Sequence, residues 1–177
     1  MVTLENIEQH TIPFDRFRYK WRFTEEQHNV LPPQHLEQIK SLDKEAARLL
    51  MDVTVGSGNF NKWPFGDPNF RYVEKLQIPS YLEREQPVKK WLYQCGLPFD
   101  QQVFASWDNE SAAITTWKMI VKYWSDFYYP SSDDLIIVDK TLNWALLFYH
   151  EDIIVFGTNA ERSAQICENE LGGTLTY

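Results

Sequence analysis

The residues best suited to chemistry are the His150-Glu151-Asp152 run and the Asp133-Asp134 pair that precedes it along the chain. Histidine and carboxylate side chains bind metal ions and transfer protons, so His150, Glu151 and Asp133 are the candidate metal ligands. Their spacing differs from the zincin motif, which needs two histidines on one helix turn. The alternative interpretation is a polar turn that closes a hairpin and binds no metal.

The sequence contains no recognisable motif for a covalent nucleophile or for phosphate binding. The glycines at 56 and 58 follow a predicted helix, where a nucleophile elbow or a phosphate loop would follow a strand. Cys95 falls on the apolar face of another predicted helix, which indicates a packed thiol. We therefore expect no catalytic residue and no cofactor. A metal-binding or hydrolytic enzyme that uses the His150 turn is the alternative.

The charge balance favours some partner classes over others. The chain has 25 acidic and 17 basic residues and a formal net charge of −8. Nucleic-acid binders usually carry a dense basic patch, so we expect no nucleic-acid partner. An acidic surface can steer a basic protein towards it, although the same charge also serves solubility alone.

Three features predict a cytoplasmic protein. No apolar run approaches the ~18 residues that a membrane helix needs, so we expect no membrane association. The first residues are polar and do not form a signal peptide. The two cysteines, Cys95 and Cys167, have no metal-ligand spacing and suit a reducing compartment.

Aromatic residues are the main candidates for partner binding, since the chain has 7 Trp, 9 Tyr and 11 Phe. Glycine and proline between residues 56 and 80 predict a long ordered loop, and such loops are often functional. The predicted partner-binding residues of this loop are Trp63, Phe65, Phe70 and Tyr72. The same rings would equally serve as a lid over the core, and the pattern supports both interpretations.

Arg18 is the fifth predicted partner-binding residue. From Phe14 to Phe23 aromatic and basic residues alternate, which predicts a strand with one apolar and one basic face. The basic face is either a contact surface or a charged guard against edge pairing.

Apolar periodicity predicts the elements that would position these residues. Spacings of three and four predict a helix through Trp117 and Trp124 whose tryptophan stripe faces the core, and this helix begins at Ser111 or nearer Thr116. Three strands follow, at Leu135–Val138, Trp144–Tyr149 and Ile153–Phe156. Both faces of the middle strand are apolar, which predicts a central strand covered on both sides. A capping box at 158–161 predicts a last helix to about residue 171.

These elements predict one α+β domain. We expect residues 1–13 to form a loose N-terminal lead-in and residues 14–177 to form the domain. Its sheet would be mixed or antiparallel, with a C-terminal three-stranded meander and an N-terminal strand, packed with about five helices.

The C-terminal strands also resemble a known class of protein. The sequences SSDDL at 131–135, NWALLFYHED at 143–152 and FG at 156–157 resemble the C-terminal hairpins of small bacterial immunity-type proteins. In these proteins a strand, a Trp-led strand and an "HE" turn lead to a final strand and a glycine. The resemblance implies a cytoplasmic α+β protein that binds and blocks a toxin.

The interpretation that unites these observations is a non-enzymatic protein-binding module. Its narrower form is a toxin-neutralising immunity-type inhibitor whose partner is a basic toxin, because opposite charges favour encounter. A structural or regulatory homodimer that buries its aromatic residues in a self-contact is the remaining alternative.

Overall fold

Helices and strands are interspersed along the chain in the computed structural model, which describes residues 1–56, 70–80, 82–130 and 132–160. Five α-helices lie in these ranges: α1 Trp21–Thr24, α2 Pro33–Leu36, α3 Lys44–Met51, α4 Glu85–Gln94 and α5 Trp117–Phe127. The strands are β1 Lys40–Ser41, β2 Tyr72–Gln77, β3 Gln102–Asp108, β4 Ser111–Thr116, β5 Leu135–Val138, β6 Trp144–Tyr149 and β7 Ile153–Thr158. Short 3₁₀ helices at Ile7–His10 and Phe14–Arg16 precede them, and a π-helical turn at Asp52–Gly56 extends α3.

All seven strands form one antiparallel sheet in the order β1-β4-β3-β5-β6-β7-β2. The predicted C-terminal meander is confirmed as β5-β6-β7, and the predicted α+β class is confirmed with it. Strand β6 lies between β5 and β7, as the apolar residues on both of its faces predict.

Helices cover both faces of the sheet. Alternate residues of β6 belong to different cores: Trp144 and Phe148 to the larger one, and Leu147 to the smaller one. Helices α4 and α5 pack on the larger core, and α3 packs on the smaller one. The tryptophan stripe of α5 is buried as predicted, since Trp117 and Trp124 have no exposed surface.

The predicted strand at 14–23 is wrong. Amide groups in this segment bond to carbonyls three residues earlier, with Arg16 N to Pro13 O at 3.0 Å and Phe17 N to Phe14 O at 3.0 Å. A 3₁₀ turn places residues three apart on one side, so Phe14 and Phe17 reach the same core without a strand. The alternation of aromatic and basic residues therefore reflects consecutive helical turns and not the pleat of a β-strand.

Of the two predicted starts of the tryptophan helix, the later one is confirmed. Residues 111–116 form strand β4, and Thr116 caps α5, because its hydroxyl accepts from the amide of Met119. Two further segments differ from the predictions. Part of the predicted 56–80 loop is strand β2, whose mostly exposed side chains give no apolar alternation. Residues 1–13, expected to be a loose lead-in, contribute the buried Ile7 to the smaller core. The predicted last helix lies outside the described residues.

Candidate functional site

The His150 turn does not assemble a metal site. His150 Nδ1 lies 2.8 Å from Asp134 Oδ1, and the His150 amide donates to the same oxygen at 3.1 Å. Glu151 is exposed at the tip of the turn. Among the described residues, no group of three or more His, Cys, Asp or Glu side chains could hold a metal ion. Asp134 thus stabilises the β6–β7 turn.

Asp133, the third candidate ligand, is used elsewhere. Its two carboxylate oxygens accept from the Arg22 guanidinium at 2.5 and 3.1 Å, and both residues are buried. The Tyr129 amide donates to Asp133 Oδ2 at 2.9 Å. The structure therefore does not bring Asp133 and His150 together.

The predicted partner-binding residues do not form one surface. Arg18 is exposed and pairs with Asp108 of β3 at 3.3 Å, whereas Tyr72 is exposed on the edge strand β2, beyond β5, β6 and β7. Phe70 is buried, and a Cβ on Gly157 would come within 2.3 Å of its ring, so the ring packs directly on the sheet. The burial of Phe70 fits the interpretation of the loop as a lid over the core. Trp63 and Phe65 lie outside the described residues.

A cleft of about 850 Å³ opens on the same side of the sheet as α4 and α5. Five separate segments line it: residues 27–29, the end of β2 with residues 78–80, the start of α4, the end of α5 with residues 128–130, and the β6–β7 turn. Its charged side chains are three carboxylates and one guanidinium, from Glu85, Asp126, Asp152 and Arg84, and His28 adds an imidazole. Concave sites with convergent polar groups are the usual places for ligands.

Asp126 is the most perturbed carboxyl in the cleft. Burial raises its pKa from the ordinary 3.8 to about 6, and the nearby Glu85 carboxylate adds to the increase. The Asn29 amide donates to Asp126 Oδ2 at 3.2 Å and, with smaller effects of Lys89 and His28, lowers the pKa in part. The carboxyl therefore changes its charge close to neutral pH.

Asp152 is held in an unusual position at the end of the β6–β7 turn. Its φ of 58° is left-handed, a conformation that Asp and Asn adopt more readily than most residues. Its carbonyl accepts from the Ile78 amide at 2.7 Å and from Gln77 Nε2 at 2.9 Å, which fixes the turn against the end of β2. Its Oδ1 atom is buried and has no hydrogen-bond partner among the described residues.

Aromatic side chains line one wall of the cleft. His28 Nδ1 lies 2.5 Å from the Tyr129 hydroxyl, and the Trp21 ring centroid lies 4.7 Å from that of His28. Behind this wall, the Arg22 guanidinium lies 4.5 Å from the centre of the Tyr129 ring. Asp133 thus positions the wall through Arg22 and through the Tyr129 amide.

Sequence reasoning missed Asp126, His28 and Asn29 as site residues. The one local signal is the carboxylate of Asp126 within the apolar end of α5, between Trp124 and Phe127. An ionisable group in an apolar stretch is often perturbed, and perturbed groups concentrate at functional sites.

The burial of Asp126 predicts a pH-dependent stability. The folded pKa lies above the ordinary value, so the native state binds more protons and loses stability as pH rises from about 4 through about 6. Asp126→Asn removes this loss and can keep the contact with Asn29. After allowance for solvent screening, we expect about 1 kcal/mol more stability at pH 7.5 and no gain at pH 4.

Urea unfolding at the two pH values measures this difference. The exposed Asp100→Asn variant is the control for loss of one negative charge. An equal gain for both variants at pH 7.5 would assign the effect to net charge and not to the burial of Asp126.

No family model matches the chain, and no significant match to it was found among curated proteins or solved structures. The resemblance of residues 131–157 to immunity-type proteins therefore stays a prediction. Among the described residues, no helix is long and apolar enough to cross a membrane.

Proposed function

We propose that this chain is a protein-binding module whose cleft receives a basic segment of a partner protein. The observation that carries the proposal is the excess of carboxylates over cations in the cleft lining, three against one guanidinium. The formal net charge of −8 supports it, because a long-range negative potential attracts a basic partner before contact.

The surroundings of the cleft suit a protein partner. Leu82, which is 93 % exposed, and Val30, which is 54 % exposed, are each within two residues of a cleft-lining side chain. Apolar groups beside a charged cleft give a partner surface to bury in addition to its charge. The narrower form of the proposal is a toxin-neutralising inhibitor, whose acidic cleft would oppose the basic surface of a nuclease toxin.

The test compares two double variants that remove the same formal charge. The cleft variant carries Asp126→Asn and Asp152→Asn, and the control carries Glu45→Gln and Asp100→Asn, both at exposed positions outside the cleft. Asn tolerates the left-handed conformation of residue 152, so the cleft variant should fold.

Each immobilised protein is incubated with host lysate at low and at high ionic strength. We expect the wild type and the control to retain the same basic protein at low salt and to release it at high salt. We expect the cleft variant to retain roughly tenfold less of it, as loss of a charge-assisted hydrogen bond predicts. Equal retention by the cleft variant and the wild type would place binding elsewhere and contradict the proposal.

A further inference from the structure

The two edges of the sheet differ in how their backbone groups are paired. At the edge formed by β1, the Ile12 amide donates to the Ser41 carbonyl at 2.9 Å, and Ser41 Oγ donates to the Ile12 carbonyl at 2.9 Å. The chain itself therefore covers that edge. Strand β2 forms the other edge and pairs with β7 on its inner side. Within the described ranges of the chain, no segment pairs with its outer side.

The register of β2 identifies the backbone groups on this outer side. The Ile78 amide donates to the Asp152 carbonyl at 2.7 Å, and the antiparallel ladder continues from this pair in steps of two residues. Residues 72, 74 and 76 therefore bond to β7, whereas the amides and carbonyls of Val73, Lys75 and Gln77 point away from it. These outward groups have no hydrogen-bond partner in the part of the chain that the structure describes. They offer alternating donors and acceptors along a strand of roughly 20 Å.

A second copy of β2 fits this edge poorly. In an antiparallel pair, two directly opposite residues either both bond across the pair or both point away from it. The two registers that pair most of β2 with its copy then place Glu74 opposite Glu74, or Lys75 opposite Lys75. Like charges directly opposite each other destabilise a strand pair, and lysine on an edge strand commonly prevents self-association. The edge therefore favours a strand from a different protein.

The open edge leads directly into the cleft. Residues 77–80, at the end of β2 and beyond it, line the cleft. An extended segment that pairs with the outward groups of β2 therefore reaches the cleft within its next few residues. Leu76 packs on the larger core, so alternation places Glu74 on the face of the sheet that carries α4, α5 and the cleft, and Lys75 on the opposite face.

We propose that β2 receives an extended segment of the partner protein, which adds a strand to the sheet and places its end in the cleft. This inference rests on the proposed function, because it specifies the conformation in which the partner binds. In strand addition, backbone hydrogen bonds supply the affinity and alternate side chains supply the specificity. The segment therefore carries basic residues on the face of Glu74 and uncharged residues on the face of Lys75.

The test is an NMR titration of the purified chain with an acetylated heptapeptide amide in which arginine and threonine alternate. The comparison peptide has glutamate in place of each arginine. We expect a Kd on the order of 1 mM for the arginine–threonine peptide. At about 10 mM peptide, we expect exchange of the Val73, Lys75 and Gln77 amides with water to slow about tenfold. The Glu74 and Leu76 amides already bond to β7 and should change little.

A matched pair of variants tests the backbone contact. Val73→Pro removes one outward donor and no bond to β7, and edge strands accept proline at such positions. We expect this variant to bind the arginine–threonine peptide about tenfold more weakly, whereas Val73→Thr, which keeps the amide, should bind it like the wild type. Circular dichroism of each variant checks that the fold is intact.

Three results would overturn the inference. The first is unchanged exchange of the Val73, Lys75 and Gln77 amides of the wild type at about 10 mM arginine–threonine peptide. The second is equal protection of these amides by the glutamate peptide. The third is protection that rises with protein concentration in the absence of peptide, which would assign the edge to a second copy of the chain.

The two proposals fail in distinguishable ways. If the lysate protein is retained through Asp126 and Asp152 but the peptide leaves the β2 amides unprotected, the strand-addition inference is wrong and the protein-binding function stands. If the peptide protects the β2 amides but retention of the lysate protein does not depend on the cleft, the proposed function is wrong.

Discussion

Asp133→Ala is expected to lower the free energy of unfolding by about 3–5 kcal/mol. Arg22 and Asp133 are 3 % and 6 % exposed, and two hydrogen bonds join the guanidinium to the carboxylate. Removing the carboxylate leaves a buried guanidinium without an anionic partner, with the Phe127 carbonyl as its remaining hydrogen-bond acceptor. The Tyr129 amide loses its acceptor in the same change.

Urea unfolding measures the loss of stability. Two matched variants show how much of this loss comes from leaving a buried charge unpaired. Asp134→Ala removes the exposed pair with His150, and we expect a loss below about 1 kcal/mol. The double variant Arg22→Met with Asp133→Leu removes both charges, and we expect a much smaller loss than from Asp133→Ala alone. A loss of stability from Asp133→Ala that is no larger than the loss from Asp134→Ala would contradict a buried ion pair between Arg22 and Asp133.

Trp124→Ala is the second change with a large expected effect, a loss of about 3–5 kcal/mol. The Trp124 ring is fully buried and stacks on Phe148 of β6, with the ring planes 4° apart and the centroids 6.2 Å apart. Its indole nitrogen has no hydrogen-bond partner among the described residues, so the loss reflects packing and the contact of the ring with the Arg84 guanidinium. The substitution would leave a cavity between α5 and the sheet.

The control for Trp124 is Trp91 of α4, which is only partly buried against the same core. We expect Trp91→Ala to lower stability by about 1–2 kcal/mol, in proportion to the smaller apolar area that it buries. Thermal or urea unfolding of both variants checks the ranking. A larger loss at Trp91 than at Trp124 would show that α4, and not α5, carries the main contact with the sheet.

The parts of the fold that sequence reasoning predicted are those with long, regular apolar periods. Strand β6 has apolar residues on both faces and lies in the middle of the meander, and the tryptophan spacing of α5 matches its buried face. In these elements burial dictates the residue type at each position, so the period reports the local structure.

The errors lie where short local interactions decide the backbone. The segment 14–23 alternates like a strand but turns twice, because hydrogen bonds between residues three apart satisfy its amides. Strand β2 lies at the sheet edge and gains little from burial, so its sequence carries no apolar alternation.

The candidate site was harder to predict than the fold. The cleft gathers side chains from five segments between residues 27 and 152, and no short motif spans them. Asp152 was singled out as part of a polar turn with His150, but its carboxylate belongs to the cleft, and His150 contacts Asp134 instead. Only the three-dimensional arrangement shows that Asp126 and Asp152 share one cavity.

The most direct test of the proposed function is the retention of a basic lysate protein by the wild type, by the cleft variant with Asp126→Asn and Asp152→Asn, and by the charge-matched control with Glu45→Gln and Asp100→Asn. We expect the wild type and the control to retain the protein at low ionic strength and the cleft variant to retain roughly tenfold less of it. Equal retention by the cleft variant and the wild type would contradict the binding of a partner in this cleft.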